Sequence, residues 1–315
     1  MARYLIRRLL VLALTLLLTS AVIFALTQLL PGDVASLILG RDAKPAALAN
    51  LRQQLGLNQP VPMQYVNWLR GFAGGDWGKS FSGGNAPIRP LVLDRLGNSL
   101  RLAGLTLLIS IPISIILGVL AGLNENKWID SLISVLTLSV VGLPEFVTGL
   151  VLINVLALGL GWFPASSNIA PGASLGDWLR QLILPAVTAT FVLMAYVVRM
   201  TRAGIIDELK KPYVRTAILK GMPERQVIIK HVLRNALLPT ITVIAISFGW
   251  LIGGLIVIEN VFSFPGLGSL MTSAVQRKDI PLMQACVMVT IFFFALANLV
   301  ADVVYALLNP RIRLE

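Results

Sequence analysis

Two short stretches of this sequence have the spacing of catalytic motifs. Residues 73–80, AGGDWGKS, nearly match a phosphate-binding loop, with Ala73 in place of the first glycine. Such a loop needs a buried strand before it and a helix after it, whereas an amphipathic segment comes before this one. Residues 172–176, GASLG, fit the turn that presents a nucleophilic serine, which needs a histidine base. The only histidine, His231, lies in a segment that we expect on the opposite side of a membrane, so we set both motifs aside.

Ionisable side chains inside the apolar runs are few. Glu145 lies near the middle of one run, where a charge costs about 3 kcal/mol or more, and Asp302 lies near the end of another. We hypothesise that Glu145 lines a pathway and meets an amino group or a cation; the alternative is an acid hydrogen-bonded to neighbouring polar side chains. The lone cysteine, Cys286, and the lone His231 provide neither a disulfide framework nor a metal-ligand set. The sequence therefore predicts no catalytic residues and no metal site.

Composition indicates a membrane protein with several spans. The chain is 56% hydrophobic and 13% charged, with a mean hydropathy of +0.81, well above the apolar share of a soluble domain. The net charge of +11 could suggest nucleic acid, but the cations lie between apolar runs and form no surface stripe. We predict no nucleic-acid partner.

Six apolar runs are long enough to cross a bilayer as helices. The first, within residues 1–30, is too long for a secretory signal and is expected to be retained. The others are 98–122, 132–158, 181–200, 237–262 and 284–308. Between the first two, residues 31–97 are expected to form a small ordered cap with a helical piece at 48–69. This pattern predicts an all-α integral membrane protein.

Lysine and arginine predict the orientation of these spans. With the N-terminus inside, the cytoplasmic segments carry fifteen of these residues and the short outside loops carry three. Nine of the fifteen lie in the loop at 201–236 and its immediate flanks. Both termini, including the tail 309–315, are therefore expected in the cytoplasm, and 31–97 outside.

The basic loop contains an amphipathic stretch, KPYVRTAILKGMPERQVIIKHVLRNALLP, at 211–239. Apolar or small residues recur at the spacing of one helical face: Val214, Ala217, Ile218, Gly221 and Met222. Pro223 cannot continue this helix but suits the first turn of another. We predict a short helix, a corner and a second helix lying against the membrane.

Glycine and proline within the spans predict packing and bending. Gly249, Gly253 and Gly254 give the fifth span a face of small residues that permits close approach of another helix. Pro112 and Pro144 lie inside the second and third spans, where we expect kinks.

The sequence resembles the inner-membrane permease subunits of the peptide/nickel branch of binding-protein-dependent ABC importers. Several motifs carry this resemblance over nearly the whole chain: LPGDVASLILG (30–40), LRQQLGLNQPVPMQY (51–65), GDWGKSF (75–81), GWFP (161–164), ILPAVT (183–188), VRMTRAGIIDEL (198–209), YVRTAILKGMPERQVIIKHVLRNALLP (213–239), IENVFSFPGLG (258–268) and NLVADVVYALLNPRIR (298–313). The resemblance implies the type I importer permease fold in a bacterial inner membrane, with residues 98–308 as its core.

The resemblance also implies that the segment from Tyr213 to Pro223 is a coupling helix that docks on a cytoplasmic ATPase. Arg215, Thr216 and Ala217 stand where the importer motif has Glu-Ala-Ala, and Gly221 where it has its glycine. Lys211 and Pro212 stand where relatives often carry an acidic pair. The implied coupling residues are Tyr213, Arg215, Thr216, Ala217, Lys220, Gly221, Met222 and Pro223.

An assembly of several proteins is also implied by the resemblance. It comprises a second, homologous permease, two ABC ATPases that hold ATP and magnesium, and a periplasmic solute-binding protein, with no cofactor on this chain. The solutes of such permeases include dipeptides, longer peptides, glutathione, nickel and metal–opine chelates. Two other classes are the alternatives: an ion-coupled secondary transporter, which would use Glu145 and Asp302, and a membrane-embedded enzyme, for which no nucleophile–base set is evident.

Overall fold

A computed structural model of the protein describes residues 2–29, 35, 44–54, 56–168 and 172–308, and these are predominantly helical. In chain order, the helices are α1 (Ala2–Gln28), α2 (Pro45–Gln54), α3 (Val61–Gly74), α4 (Ile88–Leu123), α5 (Trp128–Val141), α6 (Glu145–Leu152), α7 (Leu175–Leu209), α8 (Pro212–Leu219), α9 (Glu224–Val227), α10 (Leu233–Val261), α11 (Leu267–Gln276) and α12 (Ile280–Leu308). Two π-helical segments, Ile153–Gly159 and Ile228–Val232, follow α6 and α9. The antiparallel strands β1 (Lys79–Ser80) and β2 (Ala86–Pro87) form one small hairpin.

Five of these helical stretches are long and apolar enough to cross a membrane, and a bent pair makes a sixth if it is one span. They correspond in order to the six predicted runs. Residues 30–34, where the predicted first span ends, and the predicted tail 309–315 lie outside the described residues.

The third predicted span, 132–158, bends at Pro144 as expected, but the bend is a break between two helices and not a kink within one. Helix α5 ends at Val141, and the helical stretch from Glu145 to Gly159 leaves it at an angle of 103°. Pro144 supplies no N–H for a continuing helix, and its ψ of 139° is extended. The Gly142–Pro144 break therefore places Glu145 at a corner.

Other predicted boundaries also need correction. Helix α4, which contains the second predicted span, begins ten residues before that span, at Ile88, and its first three turns carry the charged Asp94 and Arg95. The helix expected at 48–69 is two helices, α2 and α3, separated around Gly56, whose φ is +66°. Helix α11 was not anticipated.

The chain forms two compact units, one of which comprises 99–265 and the residues from Phe294 onward. Its apolar core lies around the buried side chains of Leu184 on α7, Leu251 on α10 and Phe262, the residue after α10. Helix α7 contacts α10 along much of its length. At Gly204 an added Cβ would lie 2.4 Å from the carbonyl oxygen of Ala236, so the two backbones touch there.

The second unit comprises residues 2–98 and 266–293. A row of aromatic rings joins α1 to α3 and the residues after it: Phe24, Tyr65, Trp68, Phe72 and Trp77. The buried carboxylate of Asp279, just before α12, accepts hydrogen bonds from Ser80 Oγ at 2.6 Å and from Ser82 N at 2.9 Å. Between α1 and α4, the described residues of this unit comprise α2, α3 and the hairpin, and a single cap over 31–97 stays a prediction.

Candidate functional site

The basic segment folds as a short helix, a corner and a second helical stretch. Helix α8 has Pro212 as its first residue, a position where the missing N–H costs nothing. The chain then turns at Gly221, whose φ is +84°. Pro223 is the residue that precedes α9 and lies outside its first turn. The π-helical turn Ile228–Val232 connects α9 to α10 and was not predicted.

Helix α8 has a buried face and an exposed face. Val214 is buried, and Ala217 and Met222 are half-buried against a small apolar cluster: Ile205, Val227, Val232 and Ala236. Ile218 was expected on this buried face but lies exposed. It completes the exposed surface with Arg215, Thr216, Leu219 and Lys220.

Leu219 is the functional candidate that sequence reasoning missed. It is 78% exposed, and Ile218 beside it is 48% exposed. Both lie in a segment rich in cations and outside the long apolar helices. Leu219 does not fit the i, i+3, i+4 spacing of the buried face, and this mismatch could have predicted from the sequence that its side chain is exposed. Isolated exposed leucines are common, but here two adjacent apolar side chains project from a helix only eight residues long.

Tyr213, in contrast, points away from the exposed face. Its hydroxyl donates a hydrogen bond of 2.9 Å to Glu208 Oε1, on the last turn of α7. The ammonium of Lys211 pairs with Glu208 Oε2. Asn235 Nδ2 of α10 donates a hydrogen bond of 3.4 Å to the Tyr213 hydroxyl. Burial raises the pKa of the Tyr213 phenol, and the hydrogen bond to Glu208 raises the pKa of Lys211. At neutral pH the phenol therefore remains a donor and the lysine a cation.

Gly221 is required by its own backbone conformation. An L side chain at a φ of +84° is strained, although a Cβ there would meet no atom within 4 Å. The open space around it is compatible with either interpretation of this residue, a helix-ending glycine or a point of close approach for another protein.

Glu145 is the first residue of α6, where its charge suits the helix N-terminus. It lies half-buried in a crevice of about 480 Å³ lined by α5, α7 and α10. Glu145 is the only charged residue among the described lining residues, which also include Tyr196 and Ser247. No side chain in the described part of the chain hydrogen-bonds its carboxylate. Asp302 is not among the described lining residues.

The three glycines of the fifth span differ in their surroundings. A Cβ at Gly249 would lie 2.9 Å from Asn298 Oδ1 of α12, so that glycine permits a close helix contact. At Gly253 a Cβ would meet nothing within 4 Å. Gly254 lies half-buried one residue further along α10.

The two motifs that resemble catalytic ones have structural roles. Segment 73–80 lacks the surroundings of a phosphate-binding loop, because among the described residues no strand leads into it and no helix begins directly after Ser80. The Ser80 hydroxyl instead donates a hydrogen bond to the buried Asp279. Ser174 caps the N-terminus of α7: its hydroxyl accepts a hydrogen bond from Asp177 N and donates one to Asp177 Oδ2. Among the described residues, no group of three His, Cys, Asp or Glu side chains could hold a metal ion.

Comparison with known proteins adds a family assignment to this geometry. Residues 114–314 match the family described as "Binding-protein-dependent transport system inner membrane component", and residues 1–99 match its N-terminal companion family. A protein of Sinorhizobium fredii named "Probable peptide ABC transporter permease protein" is 35% identical, over 99% of this chain and 100% of its own length. The glutathione transport system permease of Escherichia coli strain K12 is 37% identical over 99% of both chains, and that of Shigella flexneri has the same identity and coverage.

Proposed function

Because the chain belongs to the family of inner membrane components of binding-protein-dependent transport systems, we propose that an ATPase drives it through the exposed face of α8. The protein is a permease subunit of an ATP-binding-cassette importer, with the type I importer permease fold, in the inner membrane. It is a transport subunit and not an enzyme. The driving force must therefore reach it through contact with another subunit.

The observation that carries the proposal is the exposed pair Ile218 and Leu219 between two cations, Arg215 and Lys220. Exposed apolar side chains grouped on a short helix are typical of a helix that lies in a groove of another protein. The flanking cations suit a groove with acidic rims, because opposite charges favour association and correct register. Thr216 and the turn at Gly221 complete the proposed docking surface, while Tyr213, Ala217, Met222 and Pro223 hold it in place.

Movement of α8 would follow the nucleotide state of the ATPases. Each ATPase binds ATP and magnesium, and closure of the ATPase pair on ATP favours one conformation of the permease over another. A second, homologous permease completes the pathway, and a periplasmic binding protein delivers the solute. The force enters at α8 and reaches the spans through α7, which α8 follows directly, and through α10, which α8 contacts at Tyr213 and Asn235.

The proposed solute is a small peptide or glutathione. This proposal rests on the names of the similar permeases, which describe peptide and glutathione transport, and on the crevice at Glu145. A carboxylate at the corner of α5 and α6, without a hydrogen-bonding partner among the described residues, would suit the amino group that such solutes carry. A cation such as nickel or a metal–opine chelate is the alternative.

We propose that the bent pair α5–α6 counts as one span, giving six spans with both termini in the cytoplasm. Positions Leu175 and Leu219 then lie on opposite sides of the membrane. A 35-residue helix such as α7 is about 50 Å long, enough to cross the bilayer and bring its C-terminal end to α8.

Site-specific photo-crosslinking tests the docking proposal. A benzoyl-phenylalanine at Leu219 is expected to crosslink to the ATPase when the whole transporter is present. The matched control is Leu175, which is 84% exposed at the other end of α7 and is expected to give no ATPase crosslink. An ATPase adduct from Leu175 but not from Leu219 would overturn the proposed docking surface and the orientation together.

A further inference from the structure

The carboxylate of Glu208 lies where three elements meet. It belongs to the last turn of α7, it is 5% exposed, and it accepts from Tyr213 of α8 at 2.9 Å. Lys211, just before α8, pairs with its second oxygen. Asn235 of α10 donates to the same Tyr213 hydroxyl. The Glu208 carboxylate thus connects the end of α7 to the first turn of α8, and the Tyr213 hydroxyl extends this connection to the start of α10.

Local helix stability does not explain an acid at this position. The C-terminus of a helix carries a partial negative charge, so a carboxylate in the last turn is unfavourable by about 0.3–1 kcal/mol at the surface. Burying the charge adds a desolvation cost that only partners can offset. The partners here come from outside α7, so the geometry of the neighbouring elements is what the carboxylate stabilises.

Apolar packing beneath this polar group reinforces the same connection. Val214 of α8 packs with Ile205 of α7 and Ala236 of α10. Next to it, the backbone of α7 at Gly204 touches the carbonyl of Ala236, with no room for a Cβ. Packed interiors deform little, so the three elements have few ways to move separately while the Glu208 bonds persist.

We propose that Glu208 is a positioning residue that fixes α8 to α7 and α10, so that α8 and the inner ends of both spans move as one rigid body. The inference rests on the proposed function, in which α8 meets the ATPase, and adds how the push is transmitted. The carboxylate accepts from Tyr213 and pairs with Lys211, and Asn235 bonds the same Tyr213 hydroxyl, so these bonds together favour one arrangement of α7, α8 and α10. Without it, α8 could tilt on the ATPase while the spans stayed in place.

Distance measurements in the assembled transporter test this inference. In a Cys286→Ala background, spin labels at Pro212→Cys on α8, which lies outside the proposed docking surface, and Arg234→Cys on α10 report the separation of the two helices. Both positions are exposed, and Cys286 is a buried cysteine. The complete complex in lipid vesicles is measured without nucleotide and with ATP plus vanadate, alongside its rate of ATP hydrolysis.

We expect a narrow distance distribution with the same mean in both states, within about 2 Å. Glu208→Leu is expected to at least double its width, and Tyr213→Phe, which removes one oxygen, is expected to broaden it less. ATP hydrolysis should stay within twofold of the unsubstituted complex, because the exposed face of α8 is intact. The matched control is Asp207→Asn, which removes the same charge from the exposed neighbouring residue and should leave the distribution unchanged.

Two results would overturn the inference. One is a mean distance that changes by several ångströms with nucleotide in the unsubstituted complex. The other is an unchanged distribution in both Glu208→Leu and Tyr213→Phe. The Leu219 crosslink is scored separately, so failure of the docking proposal is recognised by the loss of that crosslink, whatever the distances show.

Discussion

The guanidinium of Arg202, on α7, bonds both carboxylate oxygens of Asp130, on α5. Arg202 Nη2 lies 2.7 Å from Asp130 Oδ2, and Nε donates to Oδ1. The carboxylate is nearly inaccessible and also accepts from the backbone N–H of Asn126 at 3.0 Å. This pair joins the short loop after α4 to the helix that leads to α8.

Removal of one partner of this pair is expected to lower stability more than removal of both. Breaking a buried pair from one side typically costs about 3–5 kcal/mol, and less where one partner is partly exposed, as Arg202 is. We expect Arg202→Met and Asp130→Leu each to lower the unfolding temperature in detergent, and the double variant to recover at least half of the loss. Additive losses in the double variant would show that the ion pair is not the source of the effect.

Close approach of α7 and α10 at Gly204 gives a second expectation. Gly204→Ala places a methyl group against the carbonyl of Ala236 and should lower the free energy of unfolding by about 1–3 kcal/mol. The matched control is Gly104→Ala on α4, where an added Cβ meets nothing within 4 Å and a helical alanine is favoured by about 0.5–1 kcal/mol. Unfolding temperatures are expected to fall for the first variant and to stay level or rise for the second. A fall of equal size in both would mean that the contact at Gly204 is unimportant.

The β1–β2 hairpin depends on the buried acid Asp279. Its carboxylate accepts bonds from Ser80, the backbone of Ser82 and Ser82 Oγ, the last at 2.8 Å. Asp279→Ala leaves these donors without their acceptor, and each donor that stays buried is expected to lower the free energy of unfolding by about 1–3 kcal/mol. We expect trypsin to cut after Lys79 at least fivefold faster in this variant. Asp76→Ala, which loses the bond from Gly78 N, is the control and should be cut at nearly the unsubstituted rate.

The sequence predicts the helical elements well because their apolar periodicity depends only on nearby residues. The family resemblance, the permease function and the inner-membrane location are confirmed by the family matches and the similar permeases. The assignment of the coupling residues and of Glu145 stays a prediction.

The 103° break before Glu145 was not predictable from Pro144 alone, because a proline within a span can be accommodated by neighbouring helices. Likewise, the bonds of Glu208 and of Asp130 join residues distant in the chain or on different elements. No local pattern specifies such partners. Ile218 follows the apolar spacing yet is exposed, because Val214 and Ala217 form the face of α8 that packs on the apolar cluster.

The turn at Gly221 distinguishes two roles for this glycine. Gly221→Asp and Gly221→Asn both add a side chain at a φ of +84°, and asparagine tolerates this region better than most residues. If the ATPase approaches closely, both variants should insert normally yet lose uptake and retain less than about a tenth of the copurifying ATPase. The measurements are membrane immunoblots, uptake of the solute that the binding protein delivers, and ATPase recovery. Full uptake by Gly221→Asn would assign the glycine to helix ending alone.

The crevice at Glu145 gives the prediction that concerns the solute most directly. A carboxylate that meets an amino group should contribute about 1.5–3 kcal/mol through a charged hydrogen bond, or about tenfold or more in transport efficiency. We expect Glu145→Gln to lower kcat/KM for a dipeptide with a free amino group by about tenfold, and for its N-acetylated counterpart by less than about twofold. Glu145→Asp, which keeps the charge on a shorter side chain, should fall between the unsubstituted protein and Glu145→Gln. Equal losses for the two solutes would remove the amino-group contact and leave Glu145 as a residue that shapes the corner between α5 and α6.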